Sequence, residues 1–68
     1  MARERGKVKW FDNERGHGFI ERPDGEDLFV EYADINMDFK SLDNGDTVEF
    51  DAVEYDRGYK AVNVVKVG

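Results

Sequence analysis

Apolar residues along this chain come in short bursts, and in the clearest of them they alternate with polar ones. Runs rich in Val, Phe, Ile and Tyr recur between turn-forming clusters at Asn13 to Gly16, Pro23 to Gly25, Asp43 to Gly45 and Asp56 to Gly58. These clusters bracket five predicted strands: Lys7 to Asp12, His17 to Glu21, Asp27 to Glu31, Thr47 to Tyr55 and Lys60 to Val67. Five short strands with turns at this spacing indicate an all-β barrel or sandwich. The long connection from Tyr32 to Gly45 is the exception. Its apolar pair, Ile35 and Phe39, has one helical turn's spacing, which predicts a short turn of helix near Ala33 to Met37. No repeat, low-complexity tract or Ser-rich or Pro-rich linker divides the chain, so residues 1–68 are read as one domain.

Alternation in the second and third strands is the most informative. In His17-Gly18-Phe19-Ile20-Glu21, one face carries His17, Phe19 and Glu21 and the other carries Gly18 and Ile20. In Leu28-Phe29-Val30-Glu31, the aliphatic pair shares a face opposite Phe29 and Glu31. A small closed barrel buries its inner face, so the faces with charged residues should point to water and take Phe19 and Phe29 with them. Keeping Ile20 and Leu28 on one inner face, with a turn at Pro23-Asp24-Gly25, predicts a hairpin in which Phe19 opposes Phe29 and His17 opposes Glu31. Such a cross-strand aromatic pair contributes roughly 0.2–1 kcal/mol by itself. Two neighbouring Phe rings on a polar face nevertheless lower solubility, and that points to a use for them.

Size and composition narrow the classes. At 68 residues the module is small, with no Cys and with one His, one Ser and one Thr. There is no disulfide framework or thiolate metal site and little material for a catalytic triad, so an enzyme is disfavoured. The first residues, with Arg3, Glu4 and Arg5, are not followed by an apolar run. Neither a signal peptide nor a membrane span is expected, and the cytoplasm is the simplest home.

The net charge of −6 by itself argues against nucleic acid as a partner. Its distribution softens the objection: residues 1–22 carry a net of +2, residues 57–68 carry +3, and residues 23–56 carry −11. If the two ends lie near one another, a locally positive surface can exist on an acidic protein.

Around the Phe pair the sequence supplies Lys7, Lys9, Trp10 and Phe11, then Arg15 in a turn, then Tyr32 and Phe39. Taken singly these residues are ordinary. Trp10 by itself reads as a core residue, though Lys9 and Asp12 beside it weaken that. Phe11 and Phe39 suit core or surface, and Lys7, Lys9 and Arg15 read as solvated charges. The joint pattern of rings interleaved with cations is what an unpaired strand of nucleic acid needs, since every base has a π face to stack and a phosphate to neutralise.

Three segments, Gly6-Lys7-Val8-Lys9-Trp10-Phe11, Arg15-Gly16-His17-Gly18-Phe19-Ile20 and Asp27-Leu28-Phe29-Val30-Glu31-Tyr32, resemble the bacterial cold-shock protein family. The second and third correspond to that family's two ribonucleoprotein motifs. Asp38-Phe39-Lys40-Ser41-Leu42 and Ala61-Val62-Asn63-Val64 are also similar, so the likeness covers essentially the whole chain. It implies an all-β, five-stranded antiparallel oligonucleotide-binding (OB) fold barrel. It further implies a monomer that binds single-stranded RNA and DNA with low sequence preference, acting as a nucleic-acid chaperone in the cold or in regulation of transcription and translation. No cofactor, metal, membrane or small-molecule substrate belongs to that reading.

Carried over by position, the family's binding surface falls on Lys7, Lys9, Trp10, Phe19, Phe29, Tyr32 and Phe39. Three further positions within it depart from the family pattern. His17 stands where Phe or Tyr is usual, Glu31 where His is usual, and Asp12 where Asn is usual. Tyr59 stands where the family often has Pro, and adds a ring near the surface. Two acids among the rings would weaken binding. His17 and Glu31 face one another in the predicted hairpin, and an ion pair between them would favour the imidazolium and tie binding to mildly acidic pH.

Two other readings compete. The same aromatic patch could dock a partner protein, for which an acidic chain suits a basic partner. Asp24, Glu26 and Asp27 could hold a metal, but their spacing does not reproduce a calcium loop and a solvated turn explains them.

Overall fold

The computed structural model describes residues 3–38, 40–56 and 58–67. Five strands, β1 (Glu4–Asp12), β2 (His17–Glu21), β3 (Asp27–Glu31), β4 (Thr47–Tyr55) and β5 (Gly58–Lys66), close into a barrel in the order β1-β2-β3-β5-β4. Neighbours pair antiparallel except at the β3–β5 seam, where Phe29 and Lys60 meet in parallel register. The middle three strands have the bounds the alternation predicts. β1 starts earlier, at Glu4, because Arg5 and Gly6 pair with Glu49 and Val48 of β4.

The β2–β3 hairpin has the expected register, with Phe19 opposite Phe29, His17 opposite Glu31 and Ile20 opposite Leu28. Ile20, Leu28 and Val30 join Val8, Phe11, Val48, Phe50, Ala61 and Val64 in the barrel core. Asp24 serves the intervening turn, accepting the Glu26 N–H at 3.1 Å. No group of three acidic or His side chains among the described residues is arranged to hold a metal.

Two bulges break the period-two rule, and both matter for the surface. In β1 the pairing passes from Val8 opposite Ile20 to Trp10 opposite Phe19, which inserts one extra residue. Val8 and Phe11 therefore both point inward, while Lys9 and Trp10, lying between them, both point outward. Strict alternation from Val8 would have turned Trp10 into the core. Gly18 accommodates the kink: a Cβ there would lie 2.2 Å from the Trp10 carbonyl oxygen and 2.6 Å from the Phe11 Cα. The second bulge lies in β5, where Asn63 takes a left-handed φ of 53° and Ala61 and Val64 both turn inward.

The long connection after β3 is pinned rather than loose. A 3-10 turn at Tyr32–Asp34 replaces the helical turn predicted near Ala33 to Met37. The chain leaves the turn at Ile35 because that side chain is buried and its backbone bridges in parallel to Val64. Further on, Leu42 is buried in the core, and the Asn13 side chain clamps its backbone. Asn13 Nδ2 donates to the Leu42 carbonyl at 3.1 Å, and the Leu42 N–H donates to Asn13 Oδ1 at 3.2 Å. Among the described residues no helix is long and apolar enough to cross a membrane.

Candidate nucleic-acid interface

The outer face of β1, β2 and β3 carries a continuous group of rings. The β1 bulge sets Trp10 beside Phe19 at a centroid distance of 5.6 Å, and Phe19 meets Phe29 edge-on at 5.9 Å. His17 completes the group, 6.0 Å from Trp10 and 6.1 Å from Phe29. Each ring rests against others on one side and is open on another: Trp10 is 39% exposed, and His17, Phe19 and Phe29 are half-buried. Tilted and edge-on contacts at these distances are favourable, so the rings hold one another in place without a partner. Tyr32, at the start of the 3-10 turn, is exposed, and its N–H bonds to the Gly16 carbonyl at 2.8 Å. Gly16 has φ 78°, and a Cβ there would press on the Tyr32 Cβ at 3.2 Å. The Lys40 ammonium lies 5.2 Å from the Tyr32 ring centroid. Phe39 lies outside the described residues. Phe11, which the sequence leaves open, is in the core.

The group continues past the hairpin. Phe29 and Tyr55, at the end of β4, are nearly parallel, with ring centroids 6.1 Å apart and planes inclined by 10°. Tyr55 is absent from the residues that sequence reasoning selects. The available signal is parity within β4, where Val48 and Phe50 point inward and Val53 and Tyr55 therefore point out.

The charged residues are arranged differently from what their order along the chain suggests. The basic ends do meet, since Arg3 donates to the Asn63 carbonyl and Arg22 lies beside Tyr59, but their cations are taken up by acids of β4, of β1 and of the connecting loops instead of forming a positive patch. Arg5 pairs with Glu49 at 2.6 Å, Arg3 with Asp51 at 3.6 Å, Arg22 with Glu4 at 2.8 Å, and Lys66 with Asp46 at 3.2 Å. Lys9, on the ring face, pairs with Asp27 at 3.0 Å, and this hydrogen bond holds its pKa above the ordinary lysine value. Lys7 has no ion pair among the described residues, and it is exposed.

The two acids expected among the rings are both engaged. Asp12 Oδ1 accepts the N–H groups of Arg15 and Glu14, each at 3.0 Å, and Arg15 lies 3.8 Å from the same carboxylate. The Arg15 N–H foremost, with the Glu14 N–H beside it, holds the Asp12 pKa below the usual carboxylate value. Glu31 reaches Lys60 at 3.3 Å, and the same ammonium lies 2.8 Å from Asp34 and 4.7 Å from the Tyr55 ring centroid. Hydrogen bonding to Asp34 first, then to Glu31, raises the Lys60 pKa. The ion pair expected between His17 and Glu31 is not formed. They are register partners, but β5 brings a stronger cation to the carboxylate, while the imidazole lies among the rings.

A family model described as "'Cold-shock' DNA-binding domain" matches residues 4–67 of the chain. The chain belongs to the cold-shock domain family. It is 56% identical over 63 residues to the cold shock-like protein CspC of Bacillus cereus, covering 91% of this chain and 97% of that protein. It is 52% identical over 65 residues to the cold shock protein CspB of Geobacillus stearothermophilus, covering 94% and 98%. Cold shock protein CspD of Bacillus subtilis is likewise 52% identical over 65 residues. Membership makes this a nucleic-acid-binding protein with the OB-fold barrel of cold-shock domains. Within the cold-shock frame, the acid at Glu31 is matched by Lys60 across the β3–β5 seam, and the acid at Asp12 caps the β1–β2 turn.

Proposed function

We propose that this cold-shock protein binds single-stranded RNA and DNA by stacking unpaired bases on Trp10, His17, Phe19 and Phe29, with Tyr32 and Phe39 extending the strand's path. Lys7 and Lys40 flank the phosphates, Lys9 and Arg15 lie beside them in ion pairs with Asp27 and Asp12, and Asp12 and Glu31 sit within the surface as ion-paired carboxylates. The observation that carries the reading is the contiguous ring group on the outer face, where no step between neighbours exceeds 6.1 Å. Stacking uses a feature that every base has, so sequence preference is low. A protein that binds strands only when unpaired shifts base-paired structure toward melting by mass action, which is chaperone activity without a chemical step. The chain acts on nucleic acid as a monomer and needs no cofactor.

Trp10 provides the test, because a base stacking on or beside the indole should quench its fluorescence. Short oligothymidine should quench the parent strongly, and Phe29→Ala should weaken binding by about 5- to 150-fold, the equivalent of roughly 1–3 kcal/mol for one lost stacking partner. No quenching of the parent by any single strand would contradict the proposal and favour a protein partner for the patch.

A further inference from the structure

Tyr55 and Tyr59 stand on either side of the β4–β5 turn, 48% and 46% exposed, and neither is accounted for by the hairpin surface. With Phe19 and Phe29 they line an open cleft of about 450 Å³ that Asp27 and Asp56 also line. Both tyrosines are held in place. The Arg22 guanidinium, itself gripped by Glu4 and Glu26, lies 5.6 Å from the Tyr59 ring centroid, and Lys60 lies 4.7 Å from that of Tyr55. Tyr55 and Phe29 are nearly parallel with centroids 6.1 Å apart, within the range of offset aromatic pairs. Both rings line the cleft, and Tyr55 stays 48% exposed.

Building on the single-strand reading above, we infer that this cleft is an additional nucleobase subsite, selective for bases that carry an exocyclic amino group. The walls offer π faces and the lining offers the carboxylates of Asp56 and of Asp27, whose Oδ2 already takes Lys9, a combination that suits a base inserted edge first. Cytosine N4 and adenine N6 donate to such an acceptor. Thymine and uracil offer there a single N3–H flanked by two carbonyl oxygens, and these oxygens face the carboxylates unfavourably, so a pyrimidine amino group is the better fit. The subsite takes one base of a strand whose other bases lie on Trp10, His17, Phe19 and Phe29.

The test is a length series, about four to ten nucleotides, of oligocytidine and of oligothymidine, followed by Trp10 quenching at about 50 and 200 mM salt. In the parent the long oligocytidine should gain at least about fivefold over the short one beyond the gain seen with oligothymidine. Tyr55→Ala combined with Tyr59→Ala should abolish that excess. Tyr55→Leu, which keeps apolar contact with Phe29 but has no π face, gives the same readout if the double variant does not fold. The excess should survive the higher salt, because a base and not a phosphate is being bound. Equal length gains in parent and variants, or equal gains for the two oligomers, would overturn the inference while leaving hairpin binding intact. Absence of any quenching in the parent would remove the single-strand reading and the subsite with it.

Discussion

At the scale of single residues, neighbours decide what each side chain can do. Glu31 by itself is an acid among stacking rings, but Lys60 holds its carboxylate at 3.3 Å and lies against Tyr55. Lys60→Gln should therefore expose both Glu31 and Asp34, and weaken oligonucleotide binding although Lys60 is only 14% exposed. Binding unchanged in a fluorescence titration of that variant would show that the pairing is without consequence. Asp12 has a structural duty as well. Replacing it with Ala leaves the N–H groups of Arg15 and Glu14 without their acceptor, and the melting temperature should fall, whereas Asp12→Asn should retain most of it. These partners were not legible in the chain. Alternation places Glu31 opposite His17 correctly, yet the partner that captures its charge comes from a strand 29 residues away.

At the scale of elements, the β2–β3 hairpin could be read to the residue because the aliphatic positions in both strands share one parity and a short turn leaves few registers. β1 could not be read that way. Its bulge adds a residue at Lys9 and Trp10, so a strictly alternating Val8-Lys9-Trp10-Phe11 would bury the indole and expose Phe11, the reverse of what is found. The device rests on Gly18. Gly18→Ala sets a methyl within 2.6 Å of two β1 backbone atoms and should destabilise the fold by about 1–3 kcal/mol or more, measured by denaturant melts. A Gly18→Ala protein of parental stability would mean that the bulge is not tied to this close approach. The connection after β3 was misread for a related reason: the Ile35 side chain and its bridge to Val64 outweigh a local helical spacing. Its far end hangs on Asn13. Asn13→Ala removes both hydrogen bonds to Leu42 and should cost about 1–3 kcal/mol, with the loss of protection of the Leu42 amide in hydrogen exchange marking the site.

At the scale of the whole molecule, the acidic balance has two consequences. One is stability toward acid. Asp46, held below the usual 3.8 by the Asp43 N–H and then by Lys66, acts in the same direction as Asp12. A carboxylate with a depressed folded-state pKa stabilises the fold above its unfolded value and loses that contribution as pH falls through the folded one. Stability should therefore hold on the acid side down to about 3.8 and decline below it, while Lys9 and Lys60, raised above 10.5, give up theirs only as pH climbs past that value.

The other consequence concerns binding, and it is where charge order along the chain misleads most. Basic ends and an acidic middle suggest a positive patch, but the barrel interleaves them, and most described cations already face carboxylates. Lys7 and Lys40 are the described cations without an ion pair, and Lys40 lies over Tyr32. In the proposed binding mode, rings rather than counterion release carry the affinity. The direct test is the salt dependence of Trp10 quenching by oligothymidine. Two neutralised phosphates at about 0.7 each give a log–log slope near −1.5, with substantial affinity left at high salt. A slope steeper than about −4, corresponding to six or more phosphates, would contradict the account.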